Sequence, residues 1–228
     1  MKSRGQESFV SLPGFAARLY NSLTQTRAIE HTHQEIARDL VSRIEYGKML
    51  DIGTGPGKLL FEVHQLNPAI ELFGLDISEA MVQLARKNLT GVNVTIQCGD
   101  VRHTTYPDDF YDIITCTGSF YLWDNPEQSL QEIFRIMKKD RSAYLYETYQ
   151  DFNSIQVREA VRTNLEAESF IRRLVAPAFL MKQLRMAYRT DEIADNIKRT
   201  GFAKSYAIDQ ISLAGLPAWL RIRLTKCA

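Results

Sequence analysis

Met49-Leu50-Asp51-Ile52-Gly53-Thr54-Gly55-Pro56-Gly57-Lys58 is the stretch that decides the fold. An apolar run ends beside an acid, a glycine-rich turn follows, and a helix opens at its end, a design in which missing side chains let the backbone lie close against a ligand. Three glycine-rich readings compete here. A phosphate-cradling loop needs Ser or Thr after the Gly-Lys pair, and Leu59 stands there. A dinucleotide fingerprint needs G-x-G-x-x-G, and this is G-x-G-x-G. Charge favours the third reading: Asp51 precedes the first glycine by two residues, where a carboxylate would repel a pyrophosphate and attract a ligand carrying an ammonium group.

On either side of this stretch the periodicity is clear. Residues 26 to 45 place Ile29, His33, Ile36, Ala37, Leu40, Val41 and Ile44 at spacings of three and four, the stripe of a helix leading into the first strand. Short apolar runs then alternate with helical stretches: Met49 to Ile52, 57 to 66, Ile70 to Leu75, 78 to 89, Val92 to Cys98, Tyr111 to Cys116, 126 to 138, and Ser142 to Glu147, with a turn at Asp140. Such alternation predicts a doubly wound α/β fold, a parallel sheet with helices on both faces. A helix from Thr190 to Gly201 and strands over 204–210 and 218–226 follow. The stretch from Phe152 to Arg189 breaks the alternation and reads as a helical cap over the sheet edge. The expected organisation is therefore an N-terminal helical segment, 1–47, packing on the site, and a domain over 48–228 with a cap insertion at about 152–189.

Acids recur where strands end. Asp76 closes the second strand, 25 residues after Asp51, where a carboxylate accepts hydrogen bonds from both ribose hydroxyls of a nucleoside lying across the strand ends. Asp100 follows the third strand, in reach of an adenine amino group.

The successive segments D-I-G-T-G-P-G, L-D-I-S-E-A-M, C-G-D-V and F-Y-D-I-I-T-C-T-G-S-F-Y-L-W-D-N-P together resemble the motifs of the class I S-adenosylmethionine-dependent methyltransferases, closely over residues 48 to 148. The resemblance implies a Rossmann-like seven-stranded sheet whose last strand runs antiparallel, and S-adenosylmethionine as cofactor. Carried over by position, Asp51 and Gly53 face the methionine portion, Gly55 and Gly57 make room for it within the loop that includes Thr54, and Asp76 holds the ribose. Ile77 and Met81 pack the adenine, Asp100 and Val101 read its edge, the backbone near Thr117 receives the amino group, and Tyr20 covers the methionine end. The Asn-Pro-Pro-aromatic element of enzymes that methylate bases of nucleic acids is missing after Thr117, and the Phe-Tyr-Leu-Trp run looks like the small-molecule branch. A methyltransferase acting on RNA or protein, and a non-catalytic cofactor-binding protein, are the alternatives.

Direct displacement of the methyl group needs positioning and exclusion of water more than a dedicated acid or base. Acceptor-pocket candidates are Ser119, Phe120, Tyr121 and Trp123 after the fourth strand, and Phe15, Tyr20, His31 and His33 in the N-terminal segment, His33 having an ordinary pKa near neutrality. The cap contributes seven basic residues between Arg158 and Arg189 against three acidic ones, most simply a solvated face.

Composition narrows the classes further. Lys and Arg number 28 against 27 Asp and Glu, so no global field draws in nucleic acid or an anionic membrane. No apolar run reaches signal-peptide or membrane-spanning length, and His31 and His33 lack partners at metal-ligand spacing. Cys98, Cys116 and Cys227, odd in number and widely spaced, read as reduced and buried, which places the protein in the cytoplasm.

Overall fold

A computed structural model describes residues 27–165 and 184–227. The helix α1, Arg27–Val41, leads to β1, Gly47–Ile52; α2, Lys58–Leu66; β2, Ile70–Asp76; α3, Glu79–Asn88; β3, Val94–Cys98; and β4, Tyr111–Thr117. A 3-10 turn at Phe120–Leu122 is followed by α4, Pro126–Ile136; β5, Met137–Thr148; α5, Ser154–Leu165; α6, Thr190–Lys198; β6, Tyr206–Leu213; and β7, Leu216–Lys226. The seven strands lie in the order β3-β2-β1-β4-β5-β7-β6. β1 pairs in parallel with β2 and β4, and β5 in parallel with β4, whereas β7 runs antiparallel to both β5 and β6. This is the Rossmann-like sheet with an antiparallel last strand that the motifs implied.

Both faces of the sheet are covered because the central strands are apolar on both sides, as buried parallel strands must be. On one face Leu50, Ile52, Ile114 and Cys116 pack against Leu130 and Ile133 of α4 and Ile193 and Ile197 of α6. On the other, Met49, Leu72 and Ile113 pack against Ile36 and Leu40 of α1, Leu60 and Val63 of α2, and Val82 and Ala85 of α3. α1 is also pinned by polar contacts: Glu35 accepts from the Ala214 amide in the β6–β7 turn at 3.0 Å, and Asp39 accepts from the Tyr146 hydroxyl of β5.

Several elements differ from the sequence reading. Asp140 does not turn the chain back: β5 is one irregular strand, with Met137 opposite Tyr111, Ser142 opposite Ile113, and Asp140 at φ 58° in the intervening bulge. Lys138 holds this bulge down by bridging both oxygens of Asp112 at 2.9 and 2.8 Å. The first of the two final strands runs to Leu213 rather than 210, because Ala214 and Gly215, both at positive φ, close a tight hairpin onto β7. Cys98 and Cys227 are exposed and only Cys116 is buried: Cys98 is the last residue of β3, a strand at the sheet edge, Cys227 follows the end of β7, and Cys116 lies in the central strand β4. Phe15, Tyr20 and positions 166–183 of the insertion lie outside the described residues. Its two ends meet beside β5, where Tyr149 bridges Tyr188 and the Gln150 amide donates to the Tyr188 carbonyl at 3.1 Å.

Candidate functional site

The parallel strands β1, β2 and β4 end along one edge, and their loops are stitched together there. The amides of Gly53 and Thr54 both donate to the Leu75 carbonyl, at 2.7 and 3.1 Å, which folds the glycine loop onto β2. Asp76 completes the join: one carboxyl oxygen accepts from the Gly55 amide at 2.8 Å and the other from the Ser78 amide at 2.9 Å. The carboxylate assigned to a ribose is thus also the clasp that shapes the loop.

The glycines divide the work. A side chain at Gly55, whose φ is 53°, would project into open space, so this is the position that leaves room over the loop. At Gly57, φ 80°, a Cβ would meet Leu89 Cδ1 at 2.7 Å; its room is taken by the packing of α3 on the start of α2 and not by a ligand. At Gly53 a Cβ would lie 2.2 Å from Ser119 Oγ, so the loop and the segment after β4 touch without slack.

Asp51 lies beneath this loop, 2 % exposed. Burial pushes its pKa up to about 7, against the opposing pull of the Thr54 hydroxyl, and the neighbouring Asp76 charge pushes it further the same way. The acid that the sequence presents as a fixed negative charge therefore holds its proton far more readily than a surface aspartate, and would ionise beside a cation. Burial also raises Asp76, partly offset by the Ser78 and Gly55 amides. Ile77 is half-buried, and Met81 and Val101 are buried, at 4 % and 6 % exposure. Asp100 is partly exposed and taken up by Arg102, whose backbone amide and Nε each donate at 2.9 Å and whose Nη2 donates at 2.5 Å. Burial raises the Asp100 pKa, but this clasp outweighs it and the net shift is downward.

Phe120, Tyr121 and Trp123 are buried in one cluster with Tyr149 and Tyr188. Phe120 meets Trp123 edge-on with ring centroids 4.9 Å apart, and Tyr188 at 5.4 Å. The aromatic segment after β4 thus joins the two roots of the insertion. His33 sits on α1, which packs against α2, and burial followed by the charge of Lys58 drives its pKa down to about 4. It is a neutral, weakly basic imidazole rather than one poised near pH 7.

Sequence reading missed Glu147. This acid at the end of β5 is 1 % exposed, and its Oε1 accepts from the amides of Ser119 at 2.9 Å and Phe120 at 2.8 Å. Burial lifts its pKa to about 8 despite those amides. The signal was available, since an acid ends the apolar run Ala143-Tyr144-Leu145-Tyr146 just as acids close β1 and β2.

Buried polar atoms without partners mark where a polar ligand fits, because a buried orphan costs about 1–3 kcal/mol unless something satisfies it. Among the described residues such atoms include Ser78 Oγ after β2, Thr117 Oγ1 at the end of β4, and Glu147 Oε2 and Thr148 Oγ1 at the end of β5, while others, such as Trp219 Nε1 on β7, lie elsewhere. The first four lie at or just after the carboxyl ends of β2, β4 and β5, the edge of the sheet that also carries the glycine loop. A nucleoside with an ammonium-bearing tail suits this donor set.

A family model described as "Methyltransferase domain" matches residues 45–186. Curated relatives include the uncharacterized methyltransferase YdaC of Bacillus subtilis, 26 % identical over 56 % of this chain and 66 % of its own, and a demethylmenaquinone methyltransferase of Lactobacillus johnsonii, 32 % identical over 46 % of each. A malonyl-[acyl-carrier protein] O-methyltransferase of Bacillus cereus is 24 % identical over 64 % of this chain and 55 % of its own. The matches thus span between 46 % and 66 % of these relatives' length. Among solved structures, a putative S-adenosyl-L-methionine-dependent methyltransferase from Methanococcus maripaludis aligns with TM-score 0.64 at 23 % identity over 94 % of both chains. The plantazolicin methyltransferase BamL, in complex with SAH and a triazolic desmethylPZN analog, aligns with TM-score 0.72 at 16 % identity over 99 % of this chain and 96 % of its own. The shared fold, the matched domain and the ligand-suited strand ends agree: the chain belongs to the class I S-adenosylmethionine-dependent methyltransferases.

Proposed function

We propose that this protein transfers a methyl group from S-adenosylmethionine to a small-molecule acceptor by direct displacement. The single observation that carries the reading is the contact between the glycine loop and the aromatic segment after β4: Ser119 Oγ donates to the Ile52 carbonyl at 3.2 Å, with Phe120, Tyr121 and Trp123 immediately beyond. A ligand over Gly55 would therefore have an aromatic wall at its reactive end. When bound, the cofactor supplies an electrophilic methyl group on a sulfonium.

The chain's own residues do the rest. Asp51 ionises to pair with the ammonium of the methionine portion, helped by the backbone at Thr117, and Asp76 accepts from the ribose hydroxyls with the lone pairs its two amide contacts leave free. Ile77 and Met81 pack the adenine while Asp100 and Val101 border its edge; Tyr20 would cover the methionine end. Phe120 and Trp123 keep water from the transfer line. Positioning suffices for displacement, so no general base is assigned; at a pKa of about 4, His33 is too weak a base for that role at neutral pH.

The near-balance of charge, 28 basic against 27 acidic residues, favours a small acceptor over RNA. Among the relatives, demethylmenaquinone fits a small acceptor whereas malonyl-[acyl-carrier protein] is an acyl group carried on a protein, so the relatives do not choose the acceptor. Three unpaired cysteines suit the reducing cytoplasm. The test is incubation with methyl-labelled S-adenosylmethionine and a cell extract separated into small-molecule, RNA and protein fractions. Label in the small-molecule fraction supports the reading. Label in RNA or protein alone overturns the acceptor class, and binding without any labelled product overturns catalysis.

A further inference from the structure

We propose that Glu147 is a positioning residue of the transfer site, fixing the segment from Gly118 to Tyr121 against the glycine loop so that the cofactor and acceptor pockets share one rigid wall. The inference rests on the proposed seat of the cofactor over the ends of β1 and β4.

Geometry carries it. One carboxyl oxygen of Glu147 gathers two consecutive amides, Ser119 at 2.9 Å and Phe120 at 2.8 Å, with the Cys116 thiol at 3.6 Å. Two consecutive N–H groups aimed at one acceptor fix the backbone where the chain leaves β4. Ser119 passes this placement on, through its hydroxyl to the Ile52 carbonyl at 3.2 Å and through the absence of a side chain at Gly53. Phe120 passes it the other way, through its rings' contacts with Trp123 and Tyr188. A shift of this segment therefore moves the floor of the cofactor loop and the aromatic wall together.

The second oxygen, Oε2, is buried without a partner. The Cys116 thiol on β4 feels the charge of Glu147 and, after it, that of Asp51 on β1. Burial favours the neutral acid.

The experiment compares Glu147→Gln and Glu147→Leu with the wild type, using S-adenosylhomocysteine binding by calorimetry and amide hydrogen exchange, all at a temperature where each is folded. Glu147→Gln keeps an acceptor oxygen and should bind within about threefold of wild type. Glu147→Leu leaves the buried Phe120 amide and the part-buried Ser119 amide without their acceptor and should weaken binding at least about tenfold. In the same variant the amides of Ser119 and Phe120 should exchange faster while those of Leu50 and Leu72 do not. Unchanged affinity in Glu147→Leu, with faster exchange at Ser119 and Phe120, would reduce Glu147 to a structural cap and overturn the proposal. If Glu147→Leu does not fold, Ser119→Ala decides, because it cuts the link to Ile52: binding weakened threefold or more supports the proposal, and wild-type binding overturns it. A wild type that does not bind S-adenosylhomocysteine at all would instead refute the seat assigned to the cofactor.

Discussion

Replacing Asp51 by Asn should make the ligand-free protein more stable at pH 8 and worse at binding its cofactor. The folded protein raises the Asp51 pKa from 3.8 to about 7. Three units at about 1.4 kcal/mol each amount to about 4 kcal/mol, an upper bound on the cost of holding the ionised carboxylate at this buried position. Because the folded pKa is the higher one, the folded state binds the extra proton between pH 4 and 7, and stability falls as pH rises through that window. Asn removes the titration but still buries an amide, so a gain of about 2–4 kcal/mol is expected at pH 8 and little at pH 4. For a domain of this size that is roughly 5–15 °C in melting temperature. Glu147, raised to about 8, contributes a slope of the same sign in both proteins, so the readout is the difference between their melting curves across pH 4 to 8. The same carboxyl must ionise to meet the cofactor's ammonium. Calorimetry at pH 6 in two buffers of different ionisation enthalpy should therefore show a proton released on binding S-adenosylhomocysteine, and Asp51→Asn should abolish that release. Parallel melting curves, or undiminished proton release in the variant, would refute the reasoning.

Three further outcomes follow from the same geometry. Asp76→Ala should weaken S-adenosylhomocysteine binding by about 1.5–3 kcal/mol in calorimetry, and, because it also frees the Gly55 and Ser78 amides, lower the melting temperature rather than leave the fold untouched. Gly55→Ala, whose methyl group enters open space, should cost binding more than stability, whereas Gly57→Ala, driven against Leu89, should cost stability more; binding and melting measured on both separate the two. His33→Ala should reduce label transfer in extract by less than about tenfold, and His33→Gln should remove the part of the acid sensitivity that sets in as pH falls from 6.5 toward 4, since the folded pKa is the depressed one. A several-thousand-fold loss of transfer with cofactor affinity intact would make His33 the base after all.

Much of the fold was legible because its signals are local. The alternation from Met49 to Glu147 depends on apolar runs and on the turn that Gly53, Gly55 and Gly57 permit, and acids at strand ends can be counted along the chain. What escaped depends on pairing across the sheet. Asp140 has the composition of a turn, but the Lys138–Asp112 bridge and the pairing of Met137 with Tyr111 keep the chain in the strand. Cys98 reads as apolar strand, yet its exposure follows from β3 lying at an edge. The charge states of Asp51 and His33 come from burial, which no spacing rule reports. Glu147 was legible as a residue but not as a contact, since its amide partners lie 27 and 28 positions away.

The most direct measurement is a crystal structure with S-adenosylhomocysteine bound. Ribose hydroxyls within about 3 Å of Asp76, the ammonium between Asp51 and the backbone at Thr117, and the adenine between Ile77, Met81 and Asp100 are the predicted result. A nucleoside seated anywhere other than over Gly55 and the ends of β1, β2 and β4 would contradict the account.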